Sequence, residues 1–236
     1  MLKVAVLQSN YLPWRGYFDI VNDVDVFVFY DEVQYTARDW RNRNRLYSKQ
    51  GLTPWLTVPC RHRTNQVINE VLINNDLNWA YEHWETIRHT YARAPFFTKY
   101  KSFFECIYLM RKWERLSELN QHIIKLIASD LLGITTQFAN SNEYNSFGNK
   151  SEKLLSLLRS IGCNEYTSGP AAKDYLDETA FVQEGIKVIW KDYAGYPEYN
   201  QTRLPFENNV SIIDLLMNTG DDAPYYIWGW RDMKKL

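Results

Sequence analysis

Two short apolar runs near the start of the chain, each followed at once by polar residues, constrain the fold more than any other feature. The runs are residues 4–7 (VAVL) and 26–30 (VFVFY). Runs of this length that are rich in valine and phenylalanine predict buried strands. Between them Tyr17, Ile20 and Val21 share one helical face, which predicts a short helix. This order of strand, loop, helix and strand is typical of an open α/β sheet.

The two polar blocks, residues 8–17 and 31–44, are predicted to meet at one edge of that sheet. Ligands of open α/β sheets bind outside the carboxyl ends of parallel strands. Gln8, Asn10 and Tyr11 in the first block are therefore predicted to position a sugar or base through hydrogen bonds. The alternative is that Gln8 and Asn10 only form the turn after the strand.

The second block is unusually rich in arginine, and Trp40 lies within it. A guanidinium presents a planar fork that matches a phosphate group bidentately, which lysine cannot do. Because the cluster directly follows a strand, Arg38, Arg41 and Arg43 are predicted to clamp a diphosphate. A solvated basic loop is the alternative.

Two later segments add candidate ligand residues. Residues 168–170 (SGP) precede a helical stretch that carries Lys173, a pattern that favours an anion site but also fits a plain turn and cap. After a strand predicted at residues 186–190, Tyr193 and Tyr199 lie in an aromatic loop of the kind that stacks on sugar or base rings.

Between these segments the periodicity changes to that of helices. Three amphipathic stretches between about residues 77 and 133 predict a helical subdomain that covers one side of the sheet. Strands are also predicted at residues 55–58, 137–139 and 165–167, and an extended segment at residues 67–73. The predicted fold is therefore α/β, with a Rossmann-like, mostly parallel sheet in a single domain over residues 1–236, elaborated by helices at about 77–133.

Composition excludes several classes of function. The net charge of −1, from 27 basic and 28 acidic residues, argues against non-specific nucleic-acid binding, and no apolar run reaches membrane-spanning length. The three cysteines are far apart without metal-ligand spacing, and the N-terminus opens directly into a strand, so we expect a cytoplasmic protein with reduced thiols and no metal. Cys60, two residues before His62, is interpreted as a small apolar group rather than a nucleophile.

Taken together, these blocks resemble the WbqC-like family, which is associated with bacterial surface polysaccharides. The matching segments run in order over nearly the whole chain: residues 8–17, 31–44, 55–59, 168–176 and 211–216. A second resemblance bears on the fold. Strand, Trp14-Arg15-Gly16-Tyr17, helix and strand is similar to the nucleotidyltransferase pattern, but Trp14 and Tyr17 occupy both histidine positions, which puts adenylyl transfer in doubt.

The family resemblance implies a role in making O-antigen or a similar glycan. It suggests transfer of an acyl or aminoacyl group, such as glycyl, to the amino group of a nucleotide-linked deoxyamino-sugar. The implied partners are that sugar and an activated aminoacyl donor, either a carrier-protein thioester or an ATP-derived adenylate; no other cofactor is implied. The reaction needs a base, for which Asp31 is the first candidate, followed by His62 and Asp39. A glycosyltransferase, a degenerate nucleotidyltransferase and a non-catalytic nucleotide-sugar-binding partner are the alternatives.

Overall fold

The computed structural model describes residues 1–174 and 176–233, without the side chains of residues 232 and 233, and its secondary structure is α/β. In chain order its strands are β1 (Lys3–Leu7), β2 (Val26–Phe29), β3 (Arg43–Asn44), β4 (Tyr47–Ser48), β5 (Gly51–Leu52), β6 (Leu56–Thr57), β7 (Cys60–Arg61), β8 (Leu72–Ile73), β9 (Gln137–Asn140), β10 (Glu165–Ser168) and β11 (Lys187–Trp190). The helices are α1 (Arg15–Asn22), α2 (Trp79–Tyr91), α3 (Phe97–Leu109), α4 (Leu116–Leu126), α5 (Lys150–Ile161), α6 (Glu178–Gln183), α7 (Ile212–Thr219) and α8 (Trp230–Met233).

Five strands form a central sheet in the order β11–β10–β1–β2–β9, and all of its pairings are parallel. The predicted Rossmann-like sheet is thereby confirmed, with the 4–7 run at its centre. The chain builds outward from β1 through β2 to β9, then returns to the other side of β1 to add β10 and β11. The strand order therefore reverses between β1 and β10, which is where ligands bind in sheets of this kind.

The alternation of side chains along the strands divides the core between the two faces of the sheet. Val4 and Val6 of β1 pack with residues of α5 and α6 on one face. Ala5 and Phe27 point to the opposite face and pack with α1, α2, α3, α4 and α7. Since helices cover both faces, the central strands β1 and β2 are almost entirely apolar, as expected for a parallel sheet, whereas β9 and β10 contain more polar residues.

The helical segment predicted between residues 77 and 133 consists of α2, α3 and α4, and the end of α4 continues into a π-helical turn at Ile127–Leu131. Trp84 and Phe104 from these helices are fully buried. Full burial of one such side chain stabilises the fold by roughly 1.5–3 kcal/mol. Among the described helices, none has the length and apolar character that crossing a bilayer requires.

Residues 43–73 form a small β layer of three two-stranded antiparallel pairs, β3 with β6, β4 with β5, and β7 with β8. The strand predicted at 55–58 is present as β6 but spans two residues. The prediction of one extended segment at residues 67–73 is wrong in part, because a 3₁₀ turn at Ile68–Glu70 interrupts the segment before β8. In this turn the N–H groups of Ile68 and Asn69 donate to the carbonyls of Val33 and Asp31, each at 3.0 Å, so tertiary pairing overrides the local pattern.

Candidate functional site

The two polar blocks meet at the carboxyl edge of β1 and β2, as the sequence predicts. The Ser9 N–H donates to Asp31 Oδ1 at 2.8 Å, which joins the ends of the two strands. Further along, the Tyr11 N–H donates to the Trp40 carbonyl at 2.9 Å. The loop after β2 therefore lies against the loop after β1, beside the point where the strand order reverses.

A cavity of about 250 Å³ opens beside this contact. Its lining consists of two indoles, three carboxamides and a proline: Trp14, Trp40, Asn10, Asn44, Asn209 and Pro13. Aromatic faces with a few convergent amides are the usual lining of a site for a small polar ring. Of the sequence-predicted residues, Asn10 lines this cavity.

The position of Trp14 in the cavity wall depends on Gly16. A Cβ at residue 16 would lie 2.3 Å from the Trp14 indole, so a side chain there would displace the ring. The other side of Trp14 meets the aromatic loop after β11, with the Tyr193 ring centroid 5.0 Å from that of Trp14. Tyr193 is therefore brought to the predicted edge, where it supports one of the two indoles.

Asp31 is linked to the cavity through Ser9, the residue before the cavity-lining Asn10, and its side chain is buried, with the residue 3% exposed. Its Oδ1 accepts from the Ser9 N–H, and its Oδ2 accepts from Gln121 Nε2 of α4 at 2.9 Å. Burial raises the pKa of this carboxyl, and the hydrogen bonds and the nearby Arg41 offset part of that rise. A carboxyl with a raised pKa accepts a proton more readily than an ordinary aspartate does.

Arg41 organises the loop beside Asp31. Its guanidinium donates to Asp39 Oδ2 at 2.9 Å and to Gln8 Oε1, so Gln8 and Asp39 hold it between the two polar blocks. Asp39 also accepts from the Arg41 N–H at 2.9 Å. Gln8 and Asp39, predicted as a sugar-positioning residue and a base, are thus both engaged with this arginine.

Several buried polar atoms at this edge have no well-formed hydrogen bond within the described structure: Ser9 Oγ, Arg41 Nε and Asn120 Oδ1. They adjoin one another, since Asn120 Nδ2 donates to the Arg41 carbonyl at 2.8 Å and to the Ser9 carbonyl at 3.3 Å. An unpaired buried polar group costs about 1–3 kcal/mol. Such a concentration is typical of a place that binds polar ligands or water.

Asn120 and Gln121 were missed by sequence reasoning, although Asn120 carries a signal. It lies one turn after Leu116 and one turn before Ile124, on the face of α4 that is buried. A carboxamide on the apolar face of an amphipathic helix needs buried hydrogen-bond partners, so its presence there indicates a buried polar contact. Gln121 has no such signal, because it lies at the partly exposed margin of the helix.

The remaining cationic candidates do not gather around one point. Arg38 is exposed and has a positive φ of 59°. The Arg43 guanidinium lies 4.2 Å from the centre of the Trp55 ring. Lys173, in the 3₁₀ turn after β10, is exposed, with its Nζ 5.5 Å from the centre of the Trp190 ring.

Tyr11 and Tyr199, both predicted to contact substrate, are instead placed in the core. Tyr11 is fully buried, and its hydroxyl lies 2.8 Å from His83 Nδ1. The Tyr199 hydroxyl donates to Asp214 Oδ2 at 2.8 Å. A tyrosine has both an apolar body and a polar tip, so sequence cannot distinguish a ligand platform from a buried hydrogen-bond donor.

His62 and Cys60 lie on the neighbouring β layer. The exposed His62 ring packs edge-on to Tyr35, with centroids 5.1 Å apart. Burial raises the pKa of the Cys60 thiol to about 11, so the thiol is protonated at neutral pH. The described residues contain no cluster of His, Cys, Asp and Glu that could hold a metal ion.

Comparison with known proteins places the chain in a family but gives no activity. A family model described as the WbqC-like protein family matches residues 8–226. The uncharacterized protein Rv1507c of Mycobacterium tuberculosis is 45% identical over 229 residues, which cover 96% of this chain and 98% of that protein. No solved structure matches the chain.

Proposed function

The chain belongs to the WbqC-like protein family, and we propose that it is a transferase of surface-polysaccharide synthesis that acts on a nucleotide-linked deoxyamino-sugar. In this proposal an acyl or aminoacyl group, such as glycyl, passes from an activated donor to the amino group of the sugar. The donor is a carrier-protein thioester or an aminoacyl adenylate.

The observation that carries the proposal is the cavity beside the end of β1. Its volume of about 250 Å³ suits one sugar ring, and Trp14 and Trp40 offer apolar faces for the ring carbons. Asn10 and Asn209 supply carboxamides that both donate and accept hydrogen bonds, which matches sugar hydroxyl groups. The Asn44 carboxamide instead holds the loop, since it donates to the Leu12 carbonyl at 2.6 Å and accepts from the Arg45 N–H at 2.8 Å. The cavity is lined in part by the loop after β1, and β1 is one of the two strands between which the strand order reverses. Ligands of open α/β sheets bind near such a reversal.

The chemistry requires a group that takes a proton from the sugar ammonium. The free amine then attacks the acyl carbon and the C–N bond forms. The C–S or C–O bond of the donor breaks, the thiolate or AMP leaves with its electron pair, and the second proton of the nitrogen passes to this leaving group. We assign the role of this base to Asp31. Burial raises the pKa of its carboxyl, and it accepts a hydrogen bond from Ser9, which precedes the cavity-lining Asn10. For this role the loop after β1 must shift on binding so that the carboxylate reaches the cavity.

Nucleotidyl transfer has less support from the same loop. Trp14 packs in the cavity wall, and Tyr17 is buried with its hydroxyl donating to the Gln8 carbonyl at 3.1 Å. Neither side chain offers a cation to a triphosphate, which that chemistry needs. Acyl transfer to an amine requires no such cation.

The proposal is tested by incubating the purified protein with nucleotide-linked amino-sugars and a glycyl thioester or glycyl adenylate. We expect mass spectrometry to detect the amide product, and we expect none from the matched nucleotide-sugar that carries a hydroxyl in place of the amine. A nucleotide-sugar that raises the melting temperature without any product would instead indicate a binding partner.

A further inference from the structure

Positive charge is concentrated in one segment of a chain that is nearly neutral overall. Residues 34–69 contain seven lysines and arginines and a single aspartate, whereas the whole chain has a net charge of −1. This segment forms the end of the loop after β2 and most of the small β layer. An uneven distribution of this kind points to an anionic ligand for that layer.

Two of these positive charges lie together at Trp55. The guanidinium of Arg43 lies 4.2 Å from the centre of the Trp55 ring, and that of Arg45 lies 5.1 Å from the same centre. Trp55 itself is 38% exposed, so solvent reaches this stack. In the described structure neither guanidinium forms an ion pair with a carboxylate.

Two guanidinium groups that share one indole repel each other, and an anion between them removes that repulsion. The Arg43 Nε is buried and has no well-formed hydrogen bond to any described residue. Arg45 differs, because its Nε donates to the Thr53 carbonyl at 2.9 Å, which fixes the side chain over the ring. Within the described structure Arg45 is thus anchored through its Nε, whereas Arg43 is not.

This stack is continuous with the cavity. Trp40 lines the cavity and packs edge-on to Trp55, with ring centroids 5.7 Å apart. A ligand whose sugar lies in the cavity can therefore extend over Trp40 and bring its phosphates to Arg43 and Arg45.

We propose that Arg43, Arg45 and Trp55 form the binding site for the diphosphate of a nucleoside diphosphate, adjoining the sugar cavity. This inference rests on the proposed function and makes it more specific. Arg41 is excluded from contact with the diphosphate, because Asp39 and Gln8 already hold its guanidinium. Its part is to shape the loop.

The site is tested by calorimetric titration with inorganic pyrophosphate, UDP, dTDP and GDP. We expect at least one nucleoside diphosphate to bind, with an affinity that falls as salt rises. Arg43→Gln and Arg45→Gln should each raise its Kd about 10-fold or more, as expected when a charge-assisted hydrogen bond is lost. The matched control is Arg61→Gln, since Arg61 is an exposed arginine of the same layer that pairs with Asp76; its Kd should stay within about 2-fold of wild type.

Unchanged affinity in both arginine variants, or no binding of any of these anions to the wild type, would overturn the site. Tighter binding of a single-stranded oligonucleotide than of the nucleoside diphosphate would also overturn it, by assigning the stack to nucleic acid. Turnover of the amino-sugar is measured separately. Binding that depends on Arg43 and Arg45 but gives no turnover would support the diphosphate site and reject the proposed reaction. Turnover that neither arginine variant changes would support the reaction and reject the diphosphate site.

Discussion

Two buried aspartates, Asp31 and Asp214, have much in common but differ in their surroundings. Burial raises the pKa of both carboxyls, and neutral donors contact both. Asp214, in the first turn of α7, accepts from Tyr91 at 2.9 Å, Tyr199 at 2.8 Å and Gln201 at 2.7 Å. Its donors come from distant parts of the chain, so it ties α7 to α2 and to the loop after β11.

Around Asp31 the hydrogen bonding is incomplete. The neighbouring Ser9, Arg41 and Asn120 each have a polar atom without a well-formed hydrogen bond in the described structure. Asn10, which follows Ser9, lines the cavity. Buried polar groups in a purely structural network are satisfied, because an unpaired one destabilises the fold. We therefore infer that the Asp214 network serves stability and that the Asp31 edge serves a ligand.

The largest effect is expected from removing the charge at Asp31. Asp31→Asn keeps the size and an acceptor for the Ser9 N–H, so the fold and nucleotide-sugar binding should persist. Turnover should fall by roughly 10²–10⁴-fold, as when a general base is lost. The measurement is turnover of the amino-sugar from pH 6 to 9, with binding measured in parallel. Wild-type turnover would remove Asp31 as the base, and joint loss of binding and turnover would make it a positioning residue.

Asp214 should behave in the opposite way. Asp214→Ala leaves Tyr91, Tyr199 and Gln201 without their shared acceptor, so we expect a loss of about 3–5 kcal/mol in the free energy of unfolding. The measurement is urea unfolding, with exposed Asp222→Ala as the control. If the alanine variant fails to fold, Asp214→Asn should be destabilised in the same direction. Unfolding curves identical to those of the control would break the comparison, since the network would then add nothing to stability.

A third test uses the boundary between the two regions, where Tyr11 leads from the ligand edge into the core. Burial lowers the pKa of His83, the partner of Tyr11, to about 4. The unfolded chain takes up the proton near the ordinary pKa of 6.5, whereas the folded protein does so near 4. Stability from this group is therefore complete above pH 6.5 and decreases as pH falls toward 4, by about 3 kcal/mol.

The measurement is the free energy of unfolding between pH 7 and 4 for His83→Gln and wild type. The variant should lose less stability than wild type over this range, because it lacks the group that takes up a proton on unfolding. Equal slopes for wild type and His83→Gln would mean that His83 is not held neutral in the core.

The smallest effect is expected at Cys60, which lies near the ligand edge but outside its chemistry. With its pKa raised to about 11, the thiol is protonated, and its Sγ donates to the Val58 carbonyl at 3.4 Å. Cys60→Ser should fold and keep its turnover within a few-fold of wild type. A loss of several orders of magnitude in a folded variant would instead place a nucleophile on the β layer.

The sequence predicts the sheet because the signals for β1, β2 and α1 are local. Valine and phenylalanine runs specify buried strands, and the polar blocks after them must meet if the strands are parallel. The assignments within the site depend on tertiary contacts instead. Arg41 donates to Asp39, which is near it in the chain, but also to Gln8, which is 33 residues away. Tyr199 donates to Asp214, 15 residues away, in place of stacking on a sugar. Asn120 lies 79 residues beyond Arg41, so local pattern cannot bring them together.

The central claim, that ligand binds at the Asp31 edge and not elsewhere, is tested most directly by amide hydrogen exchange with and without a nucleotide-linked amino-sugar. We predict slower exchange at residues 8–14 and 38–45 when ligand is present, with residues 212–219 of α7, which carries Asp214, unchanged. Protection confined to the larger surface cavity of about 480 Å³ lined by Lys49, His89 and Arg93, with no change at residues 8–14, would contradict the account.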